Sequence, residues 1–410
     1  MTVGQTCSGI RYAVRRSGGA VGYCALSIRC GTRDEGSFHS GIAHFTEHTI
    51  FKGTSRMHAA AINSCLDRLG GELNAYTTKE EIVIHATVLK EDLPKAARLL
   101  LDLASDATFP EKEIEVEKGV VLDEIASYKD SPADDVFDRF EEMLFGGHDL
   151  GRPILGTNAS VKKITSDELK RFVKENFTPE RMAFTVVAGE EESKLEKYVQ
   201  KWISTWYSGH ASSAVISPAP STPPVGVLFD KTLEKKNHEV NAVLGATAPS
   251  LYEERERLAA VLLGNILAGP ASNSILNREL REKKGWVYGV ECTYTQYRDS
   301  GIMAISLGCD RDNLDKCMAV IGREIAKLQD NPLSDARLRA AKKQLIGQLA
   351  ISSENGEAQC LAMGKSLLAF GRVSSDNEDR SKVESITSAE LQASAQRILA
   401  QERISKLIYL

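Results

Sequence analysis

At 410 residues the chain is longer than one ordinary domain and suits two. Hydrophobic residues make up 42% and charged residues 26%, ordinary values for a globular protein that argue against a disordered or membrane-spanning chain. The net charge of −5 provides no global basic field for nucleic acid.

The first strand-like run, Ala25 to Arg29, leads into a polar turn, Gly31 to Glu35. Helical spacing predicts one helix from about Ser40 to Lys52 and another from about Ala59 to Leu69. The second stops at Gly70-Gly71, a helix-ending signal. Glu81 to Leu89, rich in β-branched residues, reads as a strand. Apolar spacing predicts helices over Asp92 to Ser105 and Glu111 to Lys129. At Thr165 the run T-S-D-E is a capping-box pattern opening a helix to Phe177. Met182 to Ala188 is a short buried strand. From Ser208 to Gly226, four prolines among small residues exclude a helix or central strand. This segment predicts a domain at 1–212, a linker at 213–225 and a second domain at 226–410.

The second half repeats the order of the first. The stretch from Arg311 matches the one from Lys90: polar turn, apolar helix, Pro-marked loop, second helix. An internal duplication follows. In the register that sets Ile114 on Leu338, Glu117 falls on Ala341 and Glu124 on Gln348. The second half keeps one histidine past the linker, His238. Any metal ligands therefore lie in the first copy.

Eight scattered cysteines without a C-x-x-C pair predict reduced, mostly buried thiols. No apolar core of a secretory signal follows Met1, and no stretch approaches 18 apolar residues. The expectation is a soluble, cytoplasmic protein without membrane or nucleic-acid partners.

His44-Phe45-Thr46-Glu47-His48 lies within a predicted helix. At about 100° per residue, His48 lies about 40° round from His44 and Glu47 about 60° to the other side. Both imidazoles can reach one ion, with Glu47 facing the same space as general base. Zinc in catalytic sites takes three protein ligands and leaves one position open. Glu117 and Glu124, seven residues apart, share one face of the later helix in the apolar run VEKGVVLDEI. A carboxylate there is costly unless paired or metal-bound. Glu124 is assigned as third ligand, and Glu117 as the catalytic-site carboxylate that orients a histidine. His39, His58, His85 and His210 lack partner spacing and read as ordinary surface or strand residues.

H-x-x-E-H is the inverted zincin motif. The chain resembles the M16 (pitrilysin, or insulinase-like) metallopeptidases, in particular the short two-domain members related to the mitochondrial and bacterial processing peptidases. HFTEHTIFKGT (His44 to Thr54) matches the zinc helix, GGELNAYTTKE (Gly70 to Glu80) the edge-strand segment and EKGVVLDEI (Glu117 to Ile125) the third-ligand helix. Glu124 stands 76 residues after His48 and Glu117 stands 69 after it, the family's usual gaps. HDLGRPILGT and FTPERM match framework segments, and LREKKGWVYGV (Leu280 to Val290) resembles the R-E-K-x-G-L-x-Y run. Trp286 departs from the usual Leu, and LAGPASNS lacks the glycine run of the processing peptidase's partner subunit.

The resemblance implies an α+β fold: two homologous domains, each a mixed, mostly antiparallel sheet packed on one face by helices. It implies one zinc ion per chain and a zinc metalloendopeptidase acting on extended or unfolded peptides. Arg281 and Tyr288 would reach the substrate, and Asn74 and Ala75 on the edge strand would accept it as an added strand. Longer relatives build a chamber from four such domains, so two domains imply a homodimer, with a heterodimer containing an inactive paralogue as the alternative. A non-catalytic subunit is the rival reading. Such relatives usually lose the base or a ligand, whereas this chain keeps all four residues.

Overall fold

The computed structural model describes residues 1–209, 226–235 and 239–410. The predicted linker 213–225, His210 and His238 lie outside the described residues. In chain order the strands are β1 (Thr2–Gln5), β2 (Arg11–Arg16), β3 (Val21–Ile28), β4 (Glu72–Thr77), β5 (Ile82–Leu89), β6 (Met182–Ala188), β7 (Asp230–Leu233), β8 (Val240–Ala248), β9 (Val287–Gln296), β10 (Gly301–Cys309) and β11 (Ser405–Tyr409). The helices of the first half are α1 (Ile42–Ile50), α2 (Ala59–Asp67), α3 (Leu93–Asp106), α4 (Glu111–Lys129), α5 (Pro132–Leu144), α6 (Asn158–Val161), α7 (Ser166–Asn176) and α8 (Glu192–Trp206). Those of the second are α9 (Glu254–Ala268), α10 (Leu314–Asp330), α11 (Asp335–Ser353), α12 (Gly356–Phe370), α13 (Asp376–Ser385) and α14 (Ser388–Ile398). No helix among the described residues is long and apolar enough to cross a membrane.

Two compact units emerge, and they do not follow the linear division at the linker. The first contains Met1–Ile125, the described residues from Arg152 to 209, and Ile351–Ser374. Its sheet runs β1-β2-β6-β3-β5-β4, antiparallel except for the β2–β6 pair. Cys24, Leu26 and Ile28 on β3 join Leu100 and Leu103 of α3 and Phe45 of α1 in the main core. Strand alternation sends Ala25 to the opposite face, beside Ala13, Ala183 and Val187. That face is covered too. Cys360, Met363 and Leu367 of α12 pack there, so the expectation of helices on one face alone needs correction. Small residues allow the close approach: a Cβ placed on Gly364 would lie 2.3 Å from the Ser27 hydroxyl.

The second unit contains 126–151, most of the second half and Ser375–Leu410. Its sheet runs β7-β11-β8-β10-β9, again with one parallel pair, β7–β11. Val240 and Leu244 of β8 and Met303 of β10 face α9, α10 and α14. The other face holds Val136, Phe140 and Leu144 of α5 against Val243, Ala304 and Leu407. The two halves therefore exchange equivalent helices: α5 follows the long α4, α12 follows the long α11, and each packs in the unit built mainly from the other half.

The local signals operate as chemistry requires. Helix α2 is capped by His58, whose Nδ1 accepts from the Ala61 amide at 3.3 Å. It gives way to Gly70 in the left-handed region (φ +67°), where a side chain would be strained. The capping box at Thr165 is only half formed. Thr165 accepts from the Glu168 amide at 3.2 Å, but the Glu168 carboxylate turns to His39, accepting from its amide at 3.0 Å and lying 2.9 Å from its Nδ1. A longer-range partner outcompetes the local one, and His39 is paired. His85 likewise faces Glu357 of α12 at 3.0 Å. Six of the eight cysteines are buried, Cys65 is half-buried and Cys7 is exposed.

Candidate metal centre

Helix α1 carries His44, Glu47 and His48, and α4 carries Glu117 and Glu124. The structure brings all five together within the first unit. The imidazole centres of His44 and His48 are 4.6 Å apart. Glu124 Oε2 lies 3.7 Å from His44 Nε2 and 3.4 Å from His48 Nε2. Ligand atoms of His44, His48 and Glu124 all fall within 4.8 Å of one another.

These residues fit a tetrahedral cation. Glu124 Oε2, the oxygen that faces both imidazole Nε2 atoms, is buried without a hydrogen-bond partner, a costly state for a polar atom in a protein interior. Bonds of about 2.0–2.2 Å in a tetrahedron hold ligand atoms about 3.3–3.6 Å apart, which is too long for good hydrogen bonds and right for a shared ion. Two imidazoles and a carboxylate are a zinc-type donor set.

The surrounding groups set protonation states. Burial, with His48 alongside, pushes the His44 imidazole down to about 3, leaving it neutral and able to donate electron density. Burial also pulls the His48 ring down, but the hydrogen bond to Glu117 and the Glu47, Glu124 and Glu117 carboxylates outweigh it and hold it above its ordinary value. Glu117 Oε1 lies 2.9 Å from His48 Nδ1, fixing that ring so that Nε2 faces Glu124. Lys52 pairs with the other Glu117 oxygen at 2.5 Å. Burial would raise the Glu117 carboxyl, yet the bonds from His48 and Lys52 bring it below the usual range. Glu47 is raised, mainly by burial and further by Glu124, against the pull of the Thr77 hydroxyl and His48. Thr77 donates to Glu47 Oε2 at 2.7 Å.

A cleft of about 410 Å³ opens beside this cluster, lined by Glu47, His48, Glu117, Leu73, Asn74 and Ala75 among others. Among the described residues strand β4 pairs only with β5 and forms an edge of its sheet, so Asn74 and Ala75 stand where an edge strand meets the cleft. Arg281 and Tyr288 belong to the second unit. Arg281 is exposed on a π-helical turn, Asn277–Glu282. Tyr288 is 61% exposed on β9 and donates its hydroxyl to Asp310 at 2.7 Å.

Sequence reasoning missed Lys52 and Thr77. Lys52 stands four residues after His48, a same-face signal that was available. Thr77 carries no local signal and is brought to Glu47 by the sheet. In the second unit, Gln348 of α11 occupies the register position of Glu124 and accepts from Asn265 of α9 at 2.6 Å. A neutral amide pair satisfies itself where the first copy gathers imidazoles and a carboxylate.

The sequence matches the family model described as insulinase (peptidase family M16) over residues 12–158 and the one described as peptidase M16 inactive domain over 163–345. It is 30% identical to an uncharacterized zinc protease of Streptomyces coelicolor, over 90% of this chain and 81% of that protein. It is also 30% identical to the uncharacterized zinc protease YmxG of Bacillus subtilis, over 93% and 91%. An uncharacterized zinc protease of Mycobacterium leprae shares 32%, over 91% and 83%. In fold, the crystal structure of a protease from Helicobacter pylori superposes with a TM-score of 0.89 at 18% identity, covering 100% of this chain and 98% of that one. A peptidase M16 inactive domain from Pseudomonas fluorescens gives 0.84 at 19%, covering 100% and 97%. With both halves matched by its models and relatives aligned along nearly the whole length, the chain belongs to the M16, or insulinase, family.

Proposed function

We propose that the protein is a zinc-dependent endopeptidase that hydrolyses extended or unfolded peptides. The observation that carries this reading is the convergence of His44, His48 and Glu124 around an unpartnered carboxylate oxygen, with Glu47 beside them in an open cleft. The relatives named zinc proteases support the same chemistry.

His44, His48 and Glu124 would hold the ion. When bound, zinc supplies a Lewis acid that polarises a peptide carbonyl and acidifies water. Glu47 serves as the proton carrier: Thr77 holds its Oε2, leaving Oε1 to take a proton from water and pass it to the leaving amine. Its raised affinity for protons suits that task. Glu117 and Lys52 keep the His48 ring in one orientation. Edge strand β4 offers backbone pairing at Asn74 and Ala75, which favours extended substrates over folded ones. Arg281 and Tyr288 are proposed as substrate-contacting groups. A single chain carrying both sets of residues is best served by a homodimer enclosing a chamber.

The test compares wild type with Glu47→Gln on quenched unstructured peptides with zinc supplied. Wild type should cleave and the variant should lose at least about 100-fold in kcat. Equal inertness of both across a broad peptide library sinks the reading. Light scattering of the purified protein should give twice the chain mass; a monomer removes the chamber.

A further inference from the structure

The start of α1 is held from outside the helix. The residue before its first turn is Gly41, at φ +88°, and a Cβ there would lie 2.8 Å from the Gly156 backbone. Gly156 is equally confined, with Ser40 O 2.4 Å from where its Cβ would be. Two backbones therefore touch where an ordinary helix places a Ser or Asp side chain to cap its first amides. The capping falls to Glu35, six residues upstream. Its Oε1 accepts from the amides of Gly41 at 2.8 Å and Ala43 at 3.2 Å, and the residue is fully buried. Around it, Arg152 approaches the other oxygen at 3.8 Å and donates to Gly36 O at 2.8 Å, while buried Lys79 donates to the Arg152 carbonyl.

Ala43 is the residue immediately before His44. The amide that Glu35 grips is thus one peptide unit from the first imidazole, and the same helix carries Glu47 and His48 one turn later. Metal sites tolerate ligand displacements of only about 0.2 Å. A buried carboxyl is an expensive cap, so its place here is better accounted for by the fixed start of α1 than by capping alone.

We propose that Glu35 is a positioning residue for the metal centre, locking the start of α1 so that His44, Glu47 and His48 meet Glu124. The inference rests on the zinc-peptidase reading. The grip needs an acceptor oxygen at full side-chain length, so glutamine preserves it and aspartate, one methylene shorter, releases it.

The test measures zinc affinity by chelator competition on full-length protein, together with kcat and KM on a quenched peptide. Glu35→Gln should stay within about threefold of wild type on every measure. Glu35→Asp should bind zinc about 10–100-fold more weakly and lose more in kcat than it gains in KM. Val199→Ala, which loosens the buried core beneath α8, is the control for lost stability and should leave zinc affinity unchanged. Glu35→Asp that holds zinc as tightly as Val199→Ala, both folded, overturns the proposal. Should Glu35→Asp not fold, Glu35→Met, which keeps the side-chain length and removes the acceptor oxygens, decides by the same comparison: looser zinc supports the proposal, unchanged zinc overturns it. Zinc binding without peptide cleavage in wild type would refute the peptidase reading while leaving the affinity comparison decisive. Wild type that takes up no zinc refutes both.

Discussion

Lys52 Nζ lies 2.5 Å from Glu117 Oε2, and through that carboxylate it acts on His48, whose Nδ1 is 2.9 Å from the other oxygen. The ammonium keeps Glu117 ionised in a largely buried position. Replacing it with methionine keeps the stem and removes the charge, leaving a buried carboxylate with one partner fewer. Lys52→Met should weaken zinc binding about 10-fold, near the lower end for groups that orient a ligand. Chelator competition checks this, and an unchanged affinity would mean that Glu117 needs no cation.

Thr77 donates its hydroxyl to Glu47, the proposed base. Its hydroxyl lowers the Glu47 carboxyl, so removing it raises the pH at which Glu47 gives up its proton. In Thr77→Val the acid limb of the kcat/KM profile should move to higher pH, with kcat down about 10-fold at neutrality. A profile that does not move would show that another group controls that limb.

Glu35 gives a stability signature of its own. Burial pushes its carboxyl up to about 8, against the pull of the Ala43 and Gly41 amides, Arg152 and Lys79. The folded value exceeds the ordinary one, so folding favours the protonated form. The contribution is complete below the ordinary carboxyl range and is lost as pH rises through about 8. Wild type should therefore lose melting temperature relative to Glu35→Gln between pH 5 and pH 9. Parallel curves across that window would exclude the linkage.

The packing of α12 can be tested by volume. Gly364→Ala places a methyl against the Ser27 hydroxyl on β3. Overpacking of this kind costs about 1–3 kcal/mol. Ser27→Ala removes the clashing oxygen, so the double variant should recover most of the loss, a coupling that thermal unfolding measures directly. Simple additivity of the two changes would show that the close approach is not limiting.

The metal cluster was readable because its chemistry is written in helical spacing: His44, Glu47 and His48 within one turn, and Glu117 and Glu124 two turns apart on α4. Strands β3, β5 and β6 were readable from their apolar and β-branched runs, and the second helix from its glycine stop. The exchange of α5 and α12 was not. Strand β3 alternates Cys24, Leu26 and Ile28 with Ala25 and Ser27, which marks both faces as dry without naming what covers the second. Glu35 was silent for a similar reason. A cap delivered from six residues away to a glycine leaves no S-x-x-E pattern, and Thr165, which shows such a pattern, completes only half of it because His39 captures Glu168.

The reciprocal helices have a consequence for synthesis on the ribosome. The first sheet leaves the exit tunnel with Ala13, Ala25, Val83, Ala183 and Val187 bare, and their cover is not translated until residues 356–370. A nascent chain halted at the proline-rich stretch is thus an unfinished object with an uncovered apolar face, prone to stick to its neighbours. Maturation of the first unit must wait for the second half of the message. Splitting the gene there would give two polypeptides that each lack a wall and become sound only when made together.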